Sequence, residues 1–478
     1  MGNDEGDAVR RGVGLDAGGE APAFRFIDLF AGIGGFAAAL RAYGGESVYS
    51  VEIDPAASRV YELNWGHSPL GDITKDANDD TMVVPPHDIL AAGFPCQPFS
   101  KSGAQRGMEE TRGTLFWNIL KIIQAHHPTI VLLENVRNLA GPRHFHEWQV
   151  IVEQLRAEGY RLSETPAIFS PHLLTLEQGG RPHVRERVFI TATYDPDRIM
   201  DGSEPLPAVE NRSLRSGEEW DLVADLPLDP DHEADGYGLS DDEHAWITAW
   251  DEWVRIMWAL REEQAGRTGE PVRRLPGFPI WVDAWEEVTT LEIPDGTPAW
   301  KANFLVKNAQ LYTDYREAFD EWLDRHDVRD FPPSRRKFEW QAQATRTLWE
   351  CVMQMRPSGI RAKRPTHVPA LVAITQTSIV GSRGRRLSPR EVARLQGLPD
   401  NFTFGDQRPS ATYRQLGNGV NVGAVWHVLR EHVMRDEPIL KTSEKGQRIF
   451  AAVVTDSPLR PDDVLESVVR EAQARRVD

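Results

Sequence analysis

Cysteine is almost missing from this chain: there are two, Cys96 and Cys351, in 478 residues. That excludes a disulfide framework and a cysteine-rich zinc site. It implies a reduced, cytoplasmic setting, with each thiol to be judged by its own surroundings, and no metal ligand set is expected. Long apolar runs are missing too. No stretch reaches the roughly 18 residues that a membrane span requires, so no membrane partner is expected. The opening stretch, Met1–Pro22, is rich in Gly and Asp without an apolar core, which excludes a secretory signal; residues 1–23 read as a disordered leader. There is no internal repeat. An excess of positive charge is also lacking, since the net charge is −18, and this argues at first against nucleic acid.

Charge distribution matters more than the sum, because counterion release depends on the face that meets phosphate. Residues 201–243 carry 14 acidic side chains against Arg212 and Arg215, whereas residues 331–390 carry 12 Lys and Arg against Glu339 and Glu350. A basic segment thus sits in an acidic chain. Charge permits a polyanion partner, and a solvated basic face remains the alternative.

Short apolar runs alternate with amphipathic stretches between residues 24 and 194. FRFIDLF (24–30), ESVYSVEI (46–53), HDILAAGF (87–94), TIVLLENV (129–136) and RVFITATY (187–194) read as strands, with helices between them. This alternation predicts an α/β fold with a doubly wound, mostly parallel sheet. Regularity fails after about residue 194. Ten of the 15 tryptophans fall between residues 246 and 350. Trp250, Trp253 and Trp258 recur near helical spacing and read as a core stripe. Helical patterns return in residues 388–402 and 421–434.

The strand FIDLF runs into Gly32-Ile33-Gly34-Gly35-Phe36-Ala37 and a helix. Glycines after a strand let the backbone approach a ligand, and the helix start offers free N–H groups. About 20 residues later Glu52 closes the second strand, where an acid can bind ribose hydroxyls. The spacing fits G-x-G-x-x-A, so a nicotinamide dinucleotide, an adenosylmethionine and a purely structural turn all stand open on this motif. Asp72 in Gly71-Asp72-Ile73-Thr74 could accept from an adenine amino group, with Ile53 and Ile73 flanking the ring.

Gly93-Phe94-Pro95-Cys96-Gln97-Pro98-Phe99-Ser100 places a thiol just beyond an apolar strand, at the carboxyl edge where open α/β sheets bind ligands. Cys351, within TLWECVMQM, reads as inert core packing. Glu134-Asn135-Val136 closes another strand, and a carboxylate there is costly unless it has a partner or a task. Arg185 and Arg187 precede the strand VFITAT at a spacing that would set two guanidiniums on one face. A thiolate, a carboxyl and guanidiniums on adjacent strand ends suit covalent attack on an electron-poor ring.

FIDLFAGIGGF, VEID, GDIT, GFPCQPFS, ENV and the R-x-R segment, followed late in the chain by RRLSPREVARLQGLPDNF and QLGNGVNV, resemble in order the motifs of the C5-cytosine DNA methyltransferases of bacterial restriction-modification type. The resemblance covers residues 24–194 and 385–433. It implies a class I S-adenosylmethionine-dependent fold: a Rossmann-like mixed sheet with a second, smaller target-recognition domain. Its implied organisation is a catalytic domain over 24–194, target recognition over 195–404, a return to the catalytic domain over 405–436 and an extension over 437–478. Phe30, Gly32, Ile33, Gly35, Glu52, Ile53, Asp72, Ile73, Pro95, Leu115, Asn418, Gly419 and Val420 would line the cofactor. Cys96 would be the nucleophile toward cytosine C6 and Glu134 the partner of cytosine N3. Arg185 and Arg187 would hold a base flipped out of double-stranded DNA. Ser102 and Gln105 could enter the space left by that base.

The recognition region is unusually long. Arg356, Arg361, Lys363 and Arg364 are its candidates for phosphate or guanine contacts. A short G/C-rich palindrome is the faintly indicated target, and a cognate restriction endonuclease, or another defence system acting on the same site, is a natural partner of a monomeric enzyme. Two positions depart from the family pattern, His183 for Gln and Gly419 for Ser. A tRNA cytosine-5 methyltransferase on the same fold and an inactive DNA-binding regulator are the alternatives.

Overall fold

The computed structural model describes residues 21–95, 114–163, 165–199, 219–226, 228–371 and 377–475. Two compact units emerge. The first comprises residues 1–220, 369–375 and 392–478, and the second residues 221–368 and 376–391. The second unit lies within the 195–404 stretch expected to read the target.

In the first unit, β1 (Phe24–Leu29), β2 (Gly45–Val51), β3 (Ile89–Gly93) and β4 (Ile130–Val136) pair in parallel in the order β2-β1-β3-β4. The sheet continues through β7 (Arg187–Tyr194), antiparallel to β4 and flanked by β5 (Tyr160–Leu162) and β6 (Ala167–Phe169). The fold is therefore α/β, with the mixed sheet of the Rossmann-like methyltransferase class. Strands covered on both faces need continuous apolar runs, and Ile130–Leu133 are fully buried.

Helices α1 (Gly35–Ala42), α2 (Pro55–Trp65), α3 (Leu115–His126) and α4 (Phe145–Ala157) follow the strands. Asp54 caps α2, accepting from Ala56 N at 2.8 Å, with Pro55 at the first helical position and left-handed Gly66 closing the helix. The end of the chain returns to this unit through α8 (Pro409–Asn418), α9 (Val422–Arg435) and α10 (Asp462–Ala474).

In the second unit α5 (Asp241–Thr268), α6 (Ala299–Asp314) and α7 (Arg316–Arg325) accompany a six-stranded sheet. The sheet runs β13 (Arg385–Arg386), β12 (Ile379–Val380), β10 (Val352–Arg356), β11 (Gly359–Lys363), β9 (Lys337–Gln341) and β8 (Ile280–Trp281). A capping box of Ser240 and Glu243 starts α5. Trp250, Trp253 and Trp258 are buried in one core with Trp322 and Phe338, so the stripe packs the interior. Trp250 stacks on Phe338 with centroids 4.8 Å apart and donates its indole N–H to Arg335 O at 2.8 Å. Trp250→Ala should cost about 3–5 kcal/mol, the range for a buried large-to-small change. Urea unfolding followed by tryptophan fluorescence measures it, and a loss within experimental error would contradict this packing.

Several arginines of the basic segment pair with carboxylates of the same unit. Arg385 pairs with Glu391 at 2.9 Å and Asp231 at 3.1 Å, and Arg386 with Glu243 at 2.5 Å. Arg336 pairs with Asp283 and Arg346 with Glu262. Part of the positive excess counted from sequence is thus matched inside the fold.

No helix among the described residues is long and apolar enough to cross a membrane, and none of them form a cluster of three or more His, Cys, Asp or Glu suited to a metal ion.

Candidate active site

The turn from β1 into α1 is built from unusual backbone. Phe30 (φ 57°) and Gly32 (φ 56°) are left-handed, and for phenylalanine this is a strained conformation that persists only where the surroundings fix it. Gly34 (φ 93°) passes the Trp65 indole so closely that an added Cβ would lie 2.0 Å from Nε1. Glu52, one residue beyond β2, braces the turn: its Oε2 accepts the Gly32 N–H and its Oε1 the Asp54 N–H, each at 2.8 Å. Beneath, Asp28 is fully buried with its Oδ2 accepting from Ala37 N at 3.2 Å, and burial pushes its carboxyl well above the usual range.

A cavity of about 500 Å³ opens over this turn. Phe30, Gly32, Ile33, Gly35, Glu52, Ile53, Asp72, Ile73, Pro95, Leu115, Asn418, Gly419 and Val420 all line it. Ile53 is 71% exposed, an apolar side chain held at the rim without a protein neighbour to cover it. Asp72 turns one carboxylate oxygen to Thr74, whose N–H and hydroxyl donate at 3.0 and 2.7 Å. The far wall approaches α1 so tightly that a Cβ on Gly35 would lie 2.7 Å from Val420 O.

The same cavity reaches Glu134 and Arg187. Glu134 ends the apolar part of β4, in register with Gly93 on β3. Its Oε1 lies 2.9 Å from Arg187 Nε. Burial raises the Glu134 carboxyl above its ordinary range, and the nearby guanidiniums of Arg187 and Arg185 oppose that without cancelling it. Asn135, for which the sequence suggested no separate role, donates from Nδ2 to Phe94 O at 2.8 Å and so fixes the chain just before Pro95. Asp54 and Gln415, which lie inside the motifs VEID and QLGNGVNV without having been singled out, also line the cavity, as does Arg414, which no motif signalled.

Cys96, Ser102 and Gln105 lie outside the described residues. Cys351 is buried, with burial and nearby acids pushing its thiol up to about 12, a state in which it is not a nucleophile. Arg185 and Arg187 do not share a strand face: β7 begins at Arg187, and Arg185 is buried with its guanidinium on backbone carbonyls. His183 is fully buried, its Nε2 accepting from Leu371 N at 3.3 Å.

In the second unit, Arg356 and Arg361 both pair with Glu339, the latter at 2.8 Å. Lys363 follows Arg361 on the same face of β11, half-buried, its ammonium made less basic by burial and by the two arginines. Arg364 is half-buried just beyond that strand.

A profile of the family described as C-5 cytosine-specific DNA methylase matches residues 24–434. The Type II methyltransferase M.AluI of Cellulosimicrobium cellulans is 47% identical over 513 aligned positions, covering 91% of this chain and 96% of that one. The likeness therefore takes in most of the second unit as well. Type II methyltransferase M.HhaI of Haemophilus parahaemolyticus is 42% identical over 183 positions, 38% of this chain and 53% of that protein. M.HgiBI of Herpetosiphon aurantiacus is 28% identical over 434 positions, covering 83% and 94%.

Proposed function

Because this chain belongs to the C-5 cytosine-specific DNA methylase family and is a DNA (cytosine-5)-methyltransferase, we propose that it methylates a cytosine flipped out of a specific duplex site, using S-adenosylmethionine and covalent attack by Cys96. The observation that carries this reading is a single cavity: its wall runs from the strained glycine turn to the buried Glu134–Arg187 pair, with Pro95 at its rim beside the nucleophile in sequence.

The residues present fit the cofactor. The volume suits a ligand of that size, and Ile53 and Ile73 offer apolar flanks for an adenine ring. Glu52 keeps acceptor capacity for ribose hydroxyls, because each carboxylate oxygen has a further lone pair. Asp72 can take an adenine amino group, and Asn418, Gly419 and Val420 form the opposite wall. When bound, S-adenosylmethionine supplies an electrophilic methyl group.

Cytosine C5 is too weak a nucleophile to accept that methyl unaided. Addition of the Cys96 thiolate to C6 makes C5 enamine-like. Protonated Glu134 donates to N3, where negative charge would otherwise build up. Arg187 orients the carboxyl and faces the flipped base. Loss of the C5 proton to a base and expulsion of the Cys96 sulfur then restore the aromatic ring. Ser102 and Gln105 occupy the gap in the duplex, while Arg356, Arg361, Lys363 and Arg364 meet the DNA. Glu339 pre-orients two of those arginines, which limits the rotamer entropy lost on contact. A restriction endonuclease sharing the target site, in the cytoplasm, completes the proposed setting.

Tritiated methyl donor offered to duplex DNA and tRNA side by side tests the substrate. Label recovered as 5-methyldeoxycytidine is expected, and label in tRNA alone overturns the reading. Bisulfite sequencing of DNA from an expressing host then gives the site.

A further inference from the structure

Arg185 does not line the cavity, although Arg187 two residues later does. Its Nη2 donates to Gly417 O at 2.8 Å and Gly419 O at 2.5 Å, and its Nη1 to Leu371 O at 3.1 Å. His183 takes the other backbone group of Leu371, the N–H. The segment is itself anchored, since Arg185 N donates to Ser170 Oγ at 2.8 Å. A short stretch thus holds both polar groups of Leu371 and the two carbonyls that flank Asn418.

Gly417 and Gly419 stand at the carboxyl end of α8. There the last carbonyls have no partner within the helix and carry the negative end of its dipole. A planar guanidinium can serve several such oxygens at once, whereas an ammonium is a point charge on a flexible stem. Burying a full charge is costly unless it is hydrogen-bonded, and here the carbonyl oxygens fill that role. Burial and Arg187 bring the guanidinium down to about 9, so it remains charged at neutral pH.

We infer that Arg185 is a positioning residue for the cofactor cavity: it acts through the Gly417–Val420 wall rather than by touching DNA, and His183 ties Leu371 to the same anchor. This rests on the cofactor reading above. Its distinguishing feature is that the carbonyls fixed by Arg185 bracket Asn418, while Val420 is the residue pressed against Gly35.

The test uses the full chain carrying Arg185→Lys. Hydrogen-exchange mass spectrometry of the cofactor-free protein should show faster exchange in peptides over residues 414–422, with β1–β4 unchanged. Calorimetric titration with S-adenosylmethionine should show about tenfold weaker binding, the scale of losing a hydrogen bond to a charged group, and cofactor-free DNA affinity should hold. Unchanged exchange over 414–422 with weakened DNA binding overturns the inference. If the wild-type chain binds no S-adenosylmethionine yet the exchange effect remains, the positioning role stands and the cofactor reading falls. Should Arg185→Lys fail to fold, His183→Ala carries the test. Faster exchange must spread from Leu371 into 414–422, and confinement to Leu371 overturns the shared anchor.

Discussion

Cys96→Ala is expected to lower methyl transfer by at least about 10⁴-fold, the scale on which loss of a covalent nucleophile shows, with S-adenosylmethionine affinity little changed. The asymmetry follows from where each interaction is made. The cavity proposed for the cofactor is walled by the turn after β1, the start of α1, the end of β2 and the α8 end, whereas in the proposed mechanism the thiol acts only once cytosine C6 is present. Alanine offers nothing that can add to C6, so C5 stays unactivated however well methyl donor and base are aligned. Cys351 cannot substitute, being buried in the second unit with its thiol pushed up to about 12. Tritium transfer to duplex DNA measures the effect, and turnover clearly above background would sink the covalent mechanism. The wild-type enzyme should in turn be trapped on DNA containing 5-fluorocytosine, because fluorine at C5 cannot leave as a proton does. Peptide mass spectrometry should place the adduct on Cys96 and find none in the alanine variant.

The sheet of the first unit was readable because its strands are buried on both faces and therefore spell out unbroken apolar runs. FRFIDLF, ESVYSVEI, HDILAAGF, TIVLLENV and RVFITATY fall within two residues of β1, β2, β3, β4 and β7 at either end. The three-residue β5 and β6 carry too little pattern to be seen, and they exist because β7 offers them an antiparallel partner. In the second unit the strands are two to five residues long and β9 pairs in parallel with β11. No local periodicity encodes that arrangement. The matching of Arg385 and Arg386 with Asp231 and Glu243 spans some 150 positions, so composition alone overstated the free basic charge. Arg185 was legible as an arginine but not in its environment, because its acceptors are backbone carbonyls, which every residue possesses. Arg414 and Gln415 reach the cavity only because α8 returns from the far end of the chain.

Glu134→Gln should lower kcat about 10²–10⁴-fold, the range for loss of a positioned general acid, with less change in KM for DNA. Glutamine keeps the shape and can still hydrogen-bond, but it has no acidic proton to share with N3. The pH profile makes the prediction specific. In the proposed mechanism the working form of Glu134 is protonated, so turnover in the wild type should fall as pH rises through its pKa. Burial raises that pKa against the pull of Arg187 and Arg185, and so extends activity toward neutral pH. In the glutamine variant this falling limb should vanish, while a rising limb set by thiol ionisation at Cys96 remains. Stability separates chemistry from folding. A carboxyl whose pKa is raised in the folded state binds its proton more tightly there, so its contribution to stability is complete below the unfolded value of about 4.3 and is lost as pH rises through the folded value. Removing it should leave the variant no less stable than the wild type under alkaline conditions, as urea unfolding can measure. A variant that loses kcat but keeps the falling limb would assign that limb, and the proton at N3, to another group.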